Sequence, residues 1–455
     1  MPYSVGEFVL NGPLSVTMSE RHAYRASIFH CTQGAATSGD HDGHAYHADG
    51  LLVVEGGRVL ALGEAGPLLK RFAGTPVTHF PDALLVPGFV DTHIHLPQSD
   101  VIASHGEQLL EWLSTYTFPA ERRFADPHHA AEQVDFFLDQ LLRNGTTAAM
   151  VFGSVHPQSV DRLFVAAELL GMCLVAGKVL MDRHAPAELL DTPQRAYDES
   201  RALIEQWHGR GRLRYAVTPR FAPTSSPQQL DLAGRLLREY GSVYLQTHLS
   251  ESREELAWVG ELFPERRSYL DVYDAHGLVG ARSVFAHGIH LENAECNRLA
   301  EVGAAVAFCP SSNLFLGSGL LDLQCLESLG VTVGVGTDVG AGTSFSQLRT
   351  LADAYKVLQL QGQSLDPVHA FYLATLGGAK ALHLEDQIGN LAPGKFADFC
   401  VLDLRATPLI ARRLAQARSI SETLFALMIL GDEQVVAATY IAGICRYRNP
   451  AAGPD

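Results

Sequence analysis

From Leu84 onward the chain repeats one pattern: a short apolar run, then a longer amphipathic stretch. The runs are "ALLVPGFVD", "TTAAMVFGS", "MCLVAGKVLM", "LRYAVTPRF", "SVYLQTHLS", "SVFAHGIH", "AAVAFCPSS" and "VTVGVGTDVG". Runs this short and this apolar read as strands buried on both faces, which is how parallel sheets look in sequence. The stretches between them, such as "DRLFVAAELLG" and "PQQLDLAGRLLREYG", carry helical periodicity. Eight strands alternating with helices give an α/β chain and specify a TIM-type (β/α)₈ barrel. Its first strand is expected over Leu84 to Val90.

Both ends of the chain read differently. Residues 1 to about 84 are β-rich, and "LLVVEGGRVLALGE" is a hairpin turning at Gly56-Gly57. From about Pro393 strands return: "GKFADFCVLDL", then "VVAATYIAGICRYR" folding at Ala442-Gly443. The expected organisation is therefore a barrel over residues 85–390 and a small β-sandwich domain built jointly by residues 1–84 and 391–455. The segment "TSGDHDGHAYHADG" holds His41, His44 and His47. With no strand or helix to fix their geometry, it reads as a solvated loop rather than a metal site.

In such a barrel the C-terminal strand ends form the active-site face. His93 and His95 end the first strand, two residues apart, so an extended chain turns them to one side. The fifth strand ends with His248 and then Glu251, the sixth with His287, the eighth with Asp338. One such residue is more often a hydrogen-bonded strand terminus than a ligand. Together on one rim, three imidazoles and a carboxylate suit a divalent ion: zinc first, with iron and manganese open to the same donors. Ser252 and Glu255 have capping-box spacing, which puts Glu251 on the turn before a helix, facing the rim. Glu251 is then the candidate acid–base group. Glu254 and Glu255 read as solvated charges.

In this order, "PGFVDTHIHLPQ", "THLSE", "AHG" and "GTDVG" resemble the amidohydrolase superfamily over nearly the whole chain. The resemblance implies that His93, His95, His248 and Asp338 bind the metal and that His287 stands beside the attacking water. Two-metal members use a lysine at the end of strand four. Here that strand ends "VTPRFAP", with Arg220 near the place, so one divalent metal per chain is expected. Lys178, on the third strand, reads as structural. Within the superfamily, "THIHLPQ", "GKVLMDR", "TPRFAPTSS", "HLSESREE" and "NLFLGSG" resemble the guanine deaminase family. That resemblance implies purine contacts from Gln98, Arg220 and Phe221, and hydrolysis of guanine to xanthine and ammonia. His184 replaces the asparagine expected in "MDRNAP", a change placed on the pocket rim.

The residues allow the roles this implies. An arginine matches the O6/N7 acceptor edge of guanine, though Arg220 also suits a structural ion pair. Gln98 offers both donor and acceptor; Phe221 can stack on the base or serve the core. "SHGEQLLEWLSTYTFPAE", just after the first motif, is placed at the pocket mouth. The main rival is hydrolysis of a related purine, pyrimidine or triazine on the same scaffold. A non-catalytic assembly protein should lack part of this set, and this chain keeps all of it.

Charge and composition narrow the partners. A formal net charge of −16 with no sustained basic run disfavours nucleic acid and anionic membranes. Seven scattered cysteines without a C-x-x-C pair suit a reducing cytoplasm. No basic stretch followed by an apolar core opens the chain, and no run is long enough to cross a bilayer. A soluble cytoplasmic enzyme with a small purine substrate, dimeric like many of the relatives this resemblance implies, is the expectation.

Overall fold

The computed structural model describes residues 20–32, 43–105 and 108–451. The chain opens with β1 (His22–Cys31), β2 (His44–Glu55), β3 (Arg58–Glu64) and β4 (Val77–Pro87). The barrel strands follow: β5 (Phe89–His95), β6 (Thr146–Phe152), β7 (Cys173–Gly177), the short β8 (Val179–Leu180), β9 (Leu213–Pro219), β10 (Tyr244–Leu249), β11 (Ser283–His287), β12 (Ala305–Phe308) and β13 (Thr332–Val335). The chain closes with β14 (Phe399–Asp403), β15 (Val436–Ile441) and β16 (Ile444–Arg448).

Strands β5 to β13 pair in parallel in the order β5-β6-β7-β9-β10-β11-β12-β13, with β8 set beside β9. The ring closes through residues just past β13. The Asp338 N–H donates to the His93 carbonyl (2.9 Å), and the His95 N–H donates to the Val339 carbonyl (3.1 Å). Asp91 reinforces the seam by accepting from the Thr337 backbone (3.1 Å) and hydroxyl (2.5 Å). Gly336 allows the approach, because a Cβ there would lie 2.8 Å from the His93 Cβ.

The other seven strands run β16-β15-β14-β4-β1-β2-β3 in one sheet drawn from both ends of the chain. Its curl brings distant strands face to face. Tyr24 of β1 sits 4.9 Å from Phe399 and 5.0 Å from Tyr440, ring centre to ring centre, and its hydroxyl donates to the Gly443 carbonyl. The Gly56-Gly57 turn has positive φ at both residues, as a type I′ hairpin turn requires.

Two expectations need correction. Leu84 to Val90 is not one strand. The chain leaves the small sheet at Pro87 and enters the barrel at Phe89. Between them Gly88 passes so close to β6 that a Cβ would meet the Thr147 hydroxyl at 2.1 Å. A continuous apolar run cannot reveal this, since both sheets bury their share of it. Nor do His44 and His47 lie in a loop: both sit on β2, fixed by pairing with β1. His47 faces Glu64 at 2.7 Å, and His44 packs near Phe29. Neither belongs to a metal-ligating group among the described residues; His41 lies outside them.

Candidate active site

The strand ends deliver the sequence candidates to one buried point. The Nε2 atoms of His93 and His95 are 3.2 Å apart, as are those of His95 and His248. Asp338 brings Oδ1 to 3.2 Å from both His93 and His95. Four donors held 2.0–2.1 Å from an ion at tetrahedral angles stand about 3.3 Å apart, so the separations match a small divalent cation. The tautomer also fits. His248 uses Nδ1–H on the Arg220 carbonyl (2.6 Å), which turns the Nε2 lone pair into the cluster. Burial lowers His95 to about 3 and, helped by neighbouring imidazoles, holds His248 well below the ordinary range. Both are therefore neutral, the state a ligand needs. Burial opposes the charge on Asp338, but the surrounding imidazoles prevail and hold its carboxyl well below the usual range.

A second grouping, His287, Cys309 and Asp338, shares Asp338 with the first. Burial keeps the Cys309 thiol protonated far above its ordinary range, and its Sγ faces the Ala307 carbonyl. The two groupings overlap at Asp338 rather than forming separate sites.

The acid–base groups stand beside this cluster. His287 donates Nδ1–H to Asn313 Oδ1 (2.8 Å), and its Nε2 is buried with no hydrogen-bond partner. That Nε2 lies 3.4 Å from Glu251 Oε2 and 3.7 Å from Asp338 Oδ2. Glu251 is held by the Ser318 hydroxyl (3.2 Å) and through its backbone N–H, which donates to Glu255. Burial first, and then the Asp338 charge, push Glu251 up to about 8. Ser250, His287 and Asp338 all have φ between 51° and 70°. Such strained backbone is concentrated at functional sites.

The expected capping box is present between Ser252 and Glu255. Glu255 is not the solvated charge expected of it. It is fully buried, bonded to the Tyr269 hydroxyl (2.7 Å), and pushed up to about 7 mainly by burial. Glu254 is exposed as expected.

A cavity opens onto the cluster, lined there by His95, His248, Glu251, His287 and Asp338. Gln98, Arg220 and Phe221 line it too. Arg220 meets both descriptions offered for it. One nitrogen pairs with Glu121 at 2.8 and 3.0 Å, and the side chain still borders the cavity. Gln98 is fixed by the Gly340 N–H (3.3 Å) and reaches Glu121 at 3.4 Å. The segment placed at the mouth forms short helical turns, Leu109–Trp112, Leu113–Thr117 and Phe118–Arg122, and lines the cavity through Leu109, Trp112 and Leu113. His184 lies outside that lining, beside Trp258 in a neighbouring groove. Lys178 is structural, buried against Asp191 and Glu199.

Sequence reasoning missed Glu121, Asn313 and Ser318. Glu121 ends the mouth segment, and the other two lie in the quoted "NLFLGSG" stretch. Only the proximity of segments far apart in sequence gives them roles.

The sequence profile of the amidohydrolase family matches residues 84–445. A guanine deaminase from Escherichia coli is 54% identical over 402 residues, covering 88% of this chain and 92% of that protein. The solved structure of E. coli guanine deaminase superposes with a TM-score of 0.91 at 50% identity, covering 94% of this chain and 99% of the other. A guanine deaminase from C. acetobutylicum, solved with guanine in its active site, gives 0.86 at 26% identity, covering 94% and 100%.

Proposed function

The chain belongs to the amidohydrolase family, among its guanine deaminases, and from that premise we propose that it hydrolyses guanine to xanthine and ammonia. The observation that carries this reading is the joining of two sets in one buried cavity. A His/His/His/Asp cluster with Glu251 and His287 stands at one end, and Gln98 and Arg220 share the wall. His93, His95, His248 and Asp338 would hold one ion, zinc, which when bound would supply Lewis acidity and bring a water's pKa to roughly 7.

The chain's own groups do the rest. His287 Nε2 accepts from the attacking water and orients it, because Nδ1–H is committed to Asn313. Asp338 divides its carboxylate: Oδ1 joins the donor set, and Oδ2, on the His287 side, takes the water proton. The water oxygen bonds to C2. Glu251 gives its proton to ring N3, takes the proton from the new C2–OH and passes it to the amine, so the C2–N bond breaks, ammonia leaves and C2=O forms; the proton held by Asp338 then restores Glu251. A carboxyl near 8 suits that relay, because it both holds and releases a proton near neutrality. Arg220, pinned by Glu121, keeps its remaining N–H donors for the purine, and Phe221 flanks the ring. The enzyme acts in purine catabolism or salvage as a cytoplasmic homodimer; its acidic balance and its scattered cysteines without a C-x-x-C pair favour that setting.

The test is to follow xanthine and ammonia formed from guanine, against adenine, cytosine and a triazine under the same conditions. Equal release of both products from guanine, far above the other bases, is expected. Turnover of another base with guanine untouched would refute the substrate.

A further inference from the structure

Trp112 lies in the lining of the catalytic cavity, about 2% exposed, and its indole Nε1–H has no hydrogen-bond partner. A buried N–H left unpaired is costly, and in native structures such a group calls for an explanation. Trp207 shows the usual arrangement in the same molecule: equally buried, it donates to Asp161 at 2.9 Å. Looseness of its segment does not account for the unpaired donor. Trp112 packs among Leu109, Leu113 and Phe221, and nine residues further on Glu121 pairs with Arg220 inside the barrel.

We propose that the Trp112 indole N–H is a substrate contact, donating to the acceptor edge of the purine. The proposal rests on the guanine reading above. Chemistry at C2 turns that carbon toward His287, Glu251 and Asp338. The ring edge pointing away from them carries O6 and N7, both acceptors. Leu109, Leu113 and Leu316 offer that edge nothing polar, so beside Arg220 and Gln98 the indole N–H is a further donor in the cavity lining. Trp112 thereby separates purines with an acceptor on that edge from flat rings without one, since an indole can donate but cannot accept.

The test uses the metal-loaded enzyme and hypoxanthine, which keeps O6 and N7 but lacks the amine to be lost. In an indole ¹H–¹⁵N spectrum the three tryptophans are assigned from Trp207→Phe and Trp258→Phe. Saturation with hypoxanthine should move the Trp112 proton downfield and leave Trp207 in place. Trp112→Phe should raise the guanine KM and weaken hypoxanthine about 5- to 30-fold, with kcat changed much less. Comparison of 7-deazaguanine, which keeps only O6, with 2-aminopurine, which keeps only N7, identifies the acceptor: the substitution leaves unaffected the analogue that lacks it. An unmoved Trp112 resonance at saturation, or an unchanged KM and hypoxanthine affinity in Trp112→Phe, overturns the proposal. Absence of guanine turnover in the unmodified enzyme overturns the functional reading instead. The spectrum needs no variant at position 112, so poor folding of Trp112→Phe would not block the decision.

Discussion

Replacing Glu121 with glutamine should disable substrate recognition while sparing the metal cluster. Glu121 is fully buried and holds Arg220 through two contacts of 2.8 and 3.0 Å, with Gln98 at 3.4 Å. Arg220 is itself only 2% exposed. The substitution keeps the shape and one acceptor oxygen but removes the charge opposite a buried guanidinium. Breaking a buried pair by removing one partner costs about 3–5 kcal/mol, and the surviving amide oxygen should hold the loss to about 3. Part of it appears as stability, a fall in Tm of about 1–3 degrees for a chain of this size. Part appears as misplacement of Arg220. If half of it reaches the transition state, kcat/KM falls about tenfold; if all of it does, about 150-fold. The assay is guanine turnover by absorbance, with Tm and metal content on the same preparation. Full metal content with reduced kcat/KM and Tm is the expected outcome. Wild-type kcat/KM and Tm together would show that Glu121 does not hold Arg220, and the account of purine recognition would fail with it.

Other perturbations address the chemistry. Glu251→Gln should retain metal and lose turnover by ~10²- to 10⁴-fold, the usual range for a positioned acid–base group; near-normal kcat would remove Glu251 from the relay. His95→Ala should lower the metal content measured by atomic emission and abolish activity, because His95 Nε2 is a vertex shared with His93, His248 and Asp338. In the metal-stripped protein two glutamates should make stability fall with pH between 6.5 and 8. Burial raises Glu251 to about 8 and Glu255 to about 7, so the folded state keeps protons that the unfolded chain has released above pH ~4.5. Their share falls by on the order of 2 kcal/mol over this window, while buried neutral histidines such as His95 and His248 act in the opposite direction as the unfolded chain loses its imidazole charge. Denaturant unfolding at both pH values, set against the Glu251→Gln/Glu255→Gln variant, isolates the glutamates' share, and an unchanged pH dependence in that variant would contradict the burial assigned to them.

The sequence made legible those features that depend on local pattern. Eight apolar runs specified the barrel, and the polar residue ending each run could be placed on one rim because strand direction is uniform in a parallel barrel. His93, His95, His248, Glu251, His287 and Asp338 were therefore recoverable. Features set by packing between distant segments were not. Glu255 reads like its exposed neighbour Glu254, yet helix phase turns it inward to Tyr269. The break at Gly88 is silent because both sides of it are apolar. Glu121 and Trp112 lie in a segment without strand pattern, and only its folding over the barrel mouth gives them partners or leaves them without.

The most direct test of the central claim is a metal titration. The enzyme is stripped by chelation, and xanthine formation from guanine is measured as zinc is added back. The account predicts no activity at zero metal and a linear rise to a plateau at one ion per chain. A plateau at two ions, or no xanthine at any loading of folded protein, would contradict it.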